Sequence, residues 1–226
     1  MLRRIFSSLL CLCVLASPVQ GEREEKYVAL TFDDGPSGRY TRQLLDGLKE
    51  RGVKATFLLC GYRVQEYPEE CSRIWEEGHE IGLHGFSHKD MRELSRREIA
   101  QELMDTEALL PENCRIRFFR PPGGQCGDAV RQVAEARRLA ILQWSVDPRD
   151  WANADPAAIE QAVTAHVADG DVILLHDMSG SSVKAALNIV DSLAEQGFTF
   201  VTASELASLR GIIPKPGRSY HSFPGT

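Results

Sequence analysis

The sequence predicts an α/β fold in which about seven parallel strands form a barrel within a single domain. Apolar, strand-like runs alternate with helical stretches from residue 27 to residue 209, and acidic, basic or histidine side chains follow several of these runs directly. Strict alternation implies a mostly parallel sheet with crossover helices. Polar residues at the ends of many strands favour a barrel over an open sheet, because barrels gather such residues on one rim. The 226 residues suit one such domain and leave little room for a second.

The predicted strands are short runs in which aliphatic, aromatic and β-branched residues predominate. They are Tyr27–Phe32, Ala55–Leu59, Glu80–Leu83, Arg117–Phe119, Ala140–Trp144, Val172–Leu175 and Phe198–Val201.

The stretches between the strands carry helix start and stop signals. Start signals of the capping type occur in the pairs Ser95 with Glu98, Thr202 with Glu205, and Asp155 with Pro156. Glycines that suit a helix stop follow three of the helical patterns, at Gly52, Gly78 and Gly197.

The first 21 residues have the layout of a secretory signal peptide. Arg3 and Arg4 precede the apolar stretch 5–16, which is shorter than the roughly 20 residues that a membrane span needs. Cleavage after Gly21 or after Ala16 fits the small residues there, and an uncleaved signal anchor is an alternative. We therefore expect a protein exported to the outside of a bacterial cell or to its wall, with no stable membrane span after cleavage.

The rest of the chain divides into one folded domain at 22–210 and a C-terminal stretch at 211–226. That stretch is rich in Gly, Pro and Ser, which predicts a tail on the surface. The whole chain has a net charge of −6, and loss of two arginines with the signal leaves 24 basic against 32 acidic side chains, or −8. A nucleic acid is therefore not an expected partner.

Four cysteines remain after signal cleavage, in a compartment that permits disulfides. Sequence proximity predicts the pairs Cys60–Cys71 and Cys114–Cys126, although three pairings are formally possible. Four free, buried thiols are the alternative.

Adjacent carboxylates and a spaced histidine pair carry the strongest chemical signal. Asp33 and Asp34 directly follow the first predicted strand, and His84 and His88 follow the third. One carboxylate and two imidazoles can hold a metal while leaving a coordination position open, and the second carboxylate can then act as a base. This combination indicates hydrolysis. An Fe(II) oxygenase is an alternative, because two histidines and a carboxylate also suit iron.

Polar residues follow the later strands as well. They are Arg120 after the fourth strand, Asp147 and Asp150 with Trp151 after the fifth, and His176 with Asp177 after the sixth. Each set alone has a structural explanation, such as a turn or an exposed extended segment. Their recurrence at strand ends predicts one shared site.

The motifs TFDDGP, HGFSH, RPPGG, DPRDW and ILLHD, in this order, resemble those of the polysaccharide deacetylases, also called the NodB homology domain or carbohydrate esterase family 4. The resemblance spans about residues 26–205. It implies a distorted (β/α) barrel that removes N-acetyl or O-acetyl groups from polysaccharides with a divalent metal. Zinc is the usual metal, and cobalt, nickel, manganese or iron are alternatives.

The resemblance also implies a role for each matching residue. It makes Asp34, His84 and His88 the metal ligands, Asp33 the general base and His176 the general acid. It makes Arg120 the partner of Asp33 and Asp150 the partner of His176, and it assigns an oxyanion contact to the backbone N–H of Gly123. Trp151 and Leu174 resemble the apolar residues that line the acetyl pocket, with ordinary core packing as the alternative.

Two residues depart from the family pattern. Gly85 stands where a Ser or Thr usually follows the first metal histidine, so a hydroxyl that would steady this loop is missing. Gly123 stands where an aromatic residue is common, which predicts an open groove. Both departures bear on the metal loop and on substrate preference more than on reaction type.

Together these observations predict an exported, monomeric enzyme that acts on an acetylated polysaccharide or oligosaccharide, such as peptidoglycan or a chitin-like chain. An O-acetyl esterase of the acetylxylan type is one alternative, since an alkoxide leaves more easily than an amine. A non-catalytic glycan-binding protein is another, although the presence of Asp33 and His176 disfavours it.

Overall fold

The computed structural model describes residues 25–225, so the expected signal peptide lies outside the described residues. The strands are β1 (Lys26–Asp33), β2 (Thr56–Leu59), β3 (Glu80–Leu83), β4 (Phe118–Phe119), β5 (Ala140–Leu142), β6 (Val172–His176), β7 (Phe198–Val201) and β8 (Ser219–Tyr220). The helices are α1 (Arg39–Glu50), α2 (Gly61–Glu66), α3 (Pro68–Glu76), α4 (Arg96–Glu107), α5 (Asp128–Ala136), α6 (Pro156–Thr164), α7 (Gly180–Glu195) and α8 (Ala203–Leu209).

The strands form one parallel sheet in the order β6-β1-β2-β3-β4-β5-β8. β1 has an additional neighbour, because β6 pairs with its C-terminal half and β7 pairs with its N-terminal half. After β5 the chain crosses to β6, where Val146 forms a parallel bridge to Ile173. The sheet therefore curls into a barrel, and an isolated bridge rather than a regular strand pair links its two edges. The predicted distorted (β/α) barrel is confirmed.

The core explains why the strand sequences are almost continuously apolar. Val28, Leu30 and Phe32 pack into the cluster that covers the helix-facing side of the sheet, whereas Ala29 belongs to the cluster on the opposite face. Successive side chains alternate between the faces, and helices or the barrel interior bury both. Thr31 and Asp33 share the face of Ala29, so β1 directs a carboxylate into the barrel at its C-terminal end.

The strand predictions agree with the structure to within two residues at each boundary. Both capping boxes form, at Ser95 with Glu98 and at Thr202 with Glu205. Asp155 caps α6 through the backbone N–H of Ala157.

The prediction of a surface tail at 211–226 is wrong for its C-terminal part. Ser219 and Tyr220 form β8, which pairs in parallel with β5. Phe223 is completely buried, and its ring lies against those of Phe118 and Tyr220. A short strand and one aromatic anchor are enough to fix this segment, although its composition is typical of a loose tail.

The predicted disulfides are also wrong: all four cysteines of the described residues are free. Cys60 lies at the end of β2, where its Sγ is 3.9 Å from the carbonyl oxygen of His84. Cys71 and Cys114 pack instead on the main core cluster, and Cys126 Sγ lies 3.7 Å from Ser219 Oγ. Sequence proximity failed because the strands and helices between the cysteines direct them to different layers.

Within residues 25–225, none of the helices combines the length and the apolar character that crossing a bilayer requires.

Candidate active site

The C-terminal end of β1 places the two adjacent carboxylates in different environments. Asp33 is 3% exposed and lies inside the barrel, whereas Asp34 is only partly buried at the rim. The backbone of Asp34 has φ 71°, in the left-handed region that a non-glycine residue rarely adopts. Such strained backbone is typical of functional sites. It turns the Asp34 side chain away from the direction that a continuing strand would give it.

Asp34 faces the two histidines that follow β3. Its Oδ1 lies 3.3 Å from His84 Nε2 and 3.0 Å from His88 Nε2. One donor atom from each of the three side chains falls within 4.8 Å of the others. His84 is buried at the end of β3, and His88 lies on the loop beyond it with φ 57°.

The surroundings of these three residues fit a bound cation. His84 Nδ1 lies 2.7 Å from the carbonyl oxygen of Arg120, so it carries the proton and leaves the Nε2 lone pair free. Asp34 Oδ1 is buried and accepts no well-formed hydrogen bond from any residue in 25–225, although two imidazole nitrogens are close to it. Zinc ligands at 2.0–2.1 Å in a tetrahedron are separated by about 3.3 Å, close to the spacings seen here. Burial alone would raise the pKa of Asp34, but His84 and His88 outweigh it and lower this pKa.

Asp33 is held by a fully buried arginine. Arg120 Nη1 donates to Asp33 Oδ1 at 2.6 Å and to Thr31 Oγ1 at 3.0 Å. The guanidinium also donates from Nε to the carbonyl of Leu142 and from Nη2 to that of Gln143, each at 2.8 Å. These bonds satisfy a cation that would otherwise be costly to bury. The guanidinium therefore fixes the position of the Asp33 carboxylate beside the three-residue cluster.

His176, at the end of β6, is held by Asp150. Nδ1 of the imidazole lies 2.8 Å from Asp150 Oδ1, and the backbone N–H of His176 donates to Asp150 Oδ2 at 2.9 Å. Burial lowers the pKa of His176, but Asp150, with smaller effects from Asp33 and Asp34, raises it to about 9. The imidazole is therefore protonated at neutral pH, as a general acid must be.

Two adjoining cavities open at this rim. The first has a volume of about 400 Å³. It is lined by Asp33, Asp34, His84 and His88 together with Gly123, Trp144, Asp147 and Leu174. The second, of about 420 Å³, extends along Asn153, Met178 and Ser179. Asp34, Trp151 and His176 border both, so the cavities form one groove across the three-residue cluster. Trp151 is 62% exposed, which rules out core packing for this residue, and Leu174 is 5% exposed in the cavity wall.

Gly123 has no side chain to narrow the groove. A Cβ built there would meet only Gln125 Cγ, at 3.9 Å, so the space beyond it is open, as the sequence predicted. Its φ of 61° lies in the left-handed region, and an aromatic residue at this position would strain the backbone.

Three further polar residues have contacts that indicate structural roles. Asp177 is fully buried, where its Oδ2 accepts from Thr41, and it faces Gly35 rather than the groove. Asp147 reaches the groove but is exposed and accepts the backbone N–H of Arg149, which shapes its own loop. His79 accepts the backbone N–H of Ala55, and burial lowers its pKa to about 4, so it is a structural histidine.

Sequence reasoning missed two residues around the site. Trp144 lines the first cavity and lies 5.5 Å from the guanidinium of Arg120. Its place at the end of a predicted strand was a usable signal. Glu102, on α4, binds the loop between His84 and His88. Nothing in the local sequence pattern distinguishes it from other glutamates on helices.

Comparison with known proteins agrees with the fold and with the motifs. A family profile described as polysaccharide deacetylase matches residues 20–141. The peptidoglycan-N-acetylmuramic acid deacetylase PdaC of Bacillus subtilis is 37% identical over 188 residues, which cover 82% of this chain and 40% of PdaC. A peptidoglycan-N-acetylglucosamine deacetylase of Bacillus cereus is 39% identical over 188 residues, which cover 80% of this chain and 88% of that protein. The chain belongs to the polysaccharide deacetylase family.

One solved structure widens the range of related activities. A family 4 acetyl xylan esterase from Clostridium thermocellum, in complex with a cobalt ion, superposes with a TM-score of 0.82 at 34% identity. The alignment covers 88% of this chain and all of that chain.

Proposed function

We propose that this protein is an exported, metal-dependent deacetylase that hydrolyses N-acetyl groups of a glycan, either peptidoglycan or a chitin-like oligosaccharide. One observation carries the proposal: an arginine-held carboxylate and an aspartate-held imidazole border the same three-residue metal cluster. A base and an acid are both needed when water replaces an amine, which is a poor leaving group unless it is protonated.

Asp34, His84 and His88 would hold the cation. A divalent metal there would supply Lewis-acid polarisation of the acetyl carbonyl and a lowered pKa for water. Zinc is the metal we propose, and the related esterase solved in complex with a cobalt ion supports a metal in this protein.

The protein's own groups would move the protons. Asp33, held in place by Arg120, accepts a proton from the attacking water. His176 lines the groove and donates a proton to the departing nitrogen, while Asp150 keeps the imidazole charged and fixes its orientation. The backbone N–H of Gly123 would stabilise the negative oxygen that forms during attack. Trp151 and Leu174 supply apolar surface for the acetyl methyl group and the sugar.

Acetate release tests this proposal. The mature protein should release acetate from peptidoglycan fragments or chitooligosaccharides, with activity lost to a chelator and restored by zinc. Activity on none of the acetylated substrates while zinc stays bound would favour a non-catalytic glycan-binding protein. A mature N-terminus after residue 16 or 21, found by mass spectrometry of the exported protein, would support export.

An O-acetyl esterase is the second candidate, because the similarity to the acetyl xylan esterase favours it. The two activities differ in their need for the acid, since an alkoxide leaves more easily than an amine. Activity on acetylxylan without release from chitooligosaccharides would select the esterase. In a deacetylase, His176→Ala should reduce turnover of N-acetyl substrates more than that of acetate esters, and equal losses would argue against His176 as the acid.

A further inference from the structure

The loop that carries His88 lacks the side chain that the family pattern would place beside His84. Gly85 follows His84 with φ 79°, a conformation that non-glycine residues avoid. The His88 side chain is itself 42% exposed, so close packing of the imidazole does not fix its position. Its φ of 57° is also unfavourable. Something else must hold the backbone of this loop for His88 Nε2 to face Asp34.

One carboxylate on a neighbouring helix binds this loop three times. Glu102 Oε2 accepts the backbone N–H groups of Phe86 and Ser87, each at 2.7 Å. Glu102 Oε1 accepts the hydroxyl of Ser87, also at 2.7 Å. Hydrogen bonds to an ionised acceptor are about twice as strong as those between neutral groups.

The helix that carries Glu102 is itself well anchored. A capping box begins α4, and Ile99 and Leu103 bury one of its faces in a core cluster. On the other side of the loop, the first turn of α2 donates backbone N–H groups to the carbonyls of Gly85 and Phe86, each at 3.0 Å. The loop is therefore held between α2, which binds its carbonyl groups, and Glu102, which binds its N–H groups.

The position of His88, unlike that of His84, depends on how this loop is held. His84 is fixed by the end of β3 and by its bond to the Arg120 carbonyl, so it does not depend on the loop. His88 follows Ser87 directly, and its Nε2 must lie within ligand distance of Asp34 Oδ1. We propose that Glu102 is a positioning residue that holds the His88 loop in its metal-binding conformation, where it compensates for the side chain missing at Gly85. This inference rests on the proposed metal site.

Zinc affinity of the purified mature protein tests the proposal. Zinc is titrated in competition with a chromophoric chelator for wild type, Glu102→Gln, Glu102→Ala and Ser87→Ala. Outer-sphere partners of metal ligands are typically worth about 10–100-fold in affinity. We expect a loss of that size in Glu102→Ala, with smaller losses in Glu102→Gln and Ser87→Ala, because each of these keeps part of the hydrogen bonding. Glu107→Gln is the matched control, since this glutamate on the same helix contacts only Arg137 among its charged neighbours.

Two further readouts separate positioning from general destabilisation. The melting temperature of the metal-free protein should change little between Glu102→Gln and Glu107→Gln. Acetate release by Glu102→Gln should recover most of the wild-type kcat at saturating zinc, whereas at limiting zinc it should fall. If wild type binds zinc and Glu102→Ala binds it with unchanged affinity, the role of Glu102 is overturned and the metal site is not. Absence of zinc binding by wild type would overturn the metal site and this inference together.

Discussion

Asp150 binds His176 twice, through the imidazole Nδ1 at 2.8 Å and through the backbone N–H at 2.9 Å. The first bond favours the protonated imidazole, and the second fixes the position of the His176 backbone at the end of β6. A single carboxylate thus controls both the protonation and the position of the proposed acid. Because Asp150 is 3% exposed, solvent screens this pair little.

Asp150→Asn should move the pH dependence of catalysis. The raised pKa of His176, about 9, depends on the Asp150 carboxylate, and without it burial lowers this pKa. The alkaline limb of kcat/KM should therefore shift to lower pH by on the order of one unit or more. Asp105→Asn, at an exposed carboxylate on α4 that lines neither cavity, is the control and should leave the alkaline limb unchanged. A pH profile of Asp150→Asn that superposes on wild type would contradict the assignment of His176 as the acid.

The same pair should make stability depend on pH. A histidine whose pKa is raised from about 6.5 to about 9 on folding stabilises the folded protein fully below pH 6.5. That contribution is lost as the pH rises through 9. Thermal melts between pH 6 and pH 10 should show this decline in wild type, with a smaller decline over this range in Asp150→Asn.

Asp33→Asn should separate the base from the metal ligands. The carboxylate lies 3.7 Å from His84 Nε2 at its nearest and is outside the three-residue cluster, so zinc content should persist. Loss of a general base typically costs on the order of 10²-fold or more in turnover. Acetate release together with zinc analysis of the same sample checks both expectations. Wild-type turnover in this variant would move the base role to another group.

His88→Ala should remove a metal ligand. The loss of zinc affinity should exceed the about 10–100-fold that is typical of an outer partner. His166→Ala is the control, because this histidine is exposed and lies away from the groove. Full zinc content in His88→Ala after dialysis would refute the ligand assignment.

The mature protein should contain four free thiols. Burial raises the pKa of Cys71 to about 12 and that of Cys114 to about 11, so both should react slowly with a thiol reagent until the protein is denatured. A titration in denaturant that finds fewer than four thiols in non-reduced protein would instead show that disulfides form on export.

Phe223→Ala should destabilise the domain by about 3–5 kcal/mol, the usual cost of truncating a buried phenylalanine. The ring is completely buried although it lies only three residues from the C-terminal Thr226. Ile213→Ala, in the same segment but at an 83% exposed residue, should change stability little. Equal denaturation midpoints for the two variants would show that β8 and Phe223 do not contribute to the core.

Much of the site could be predicted because the carboxyl ends of parallel strands meet at one rim. Asp34 follows β1 directly and His84 follows β3 directly, so a strand prediction and a turn were enough to bring them together. Trp144 also lies near the carboxyl end of a strand, just past the observed end of β5. It was missed because the predicted strand included it.

Contacts between residues that are distant in sequence could not be predicted. Glu102 reaches the His88 loop from the middle of a helix, and its spacing in sequence carries no sign of this contact. Arg120 also donates to two backbone carbonyls, one at the last residue of β5 and one at the residue after it, which no residue type could have revealed. The cysteines were misassigned because separation along the chain says little about separation across the layers of a barrel.

By itself, the sequence determined the alternation of strands and helices, the helix caps and the residues at each strand end. These features depend on local conformational preferences and on side-chain periodicity, which can be read from short stretches of sequence. Only the tertiary structure decided how the barrel closes, that Phe223 completes the core and that Glu102 binds the loop between His84 and His88. Each of these depends on contacts between residues distant in sequence, and their geometry exists only once the whole sheet has curled.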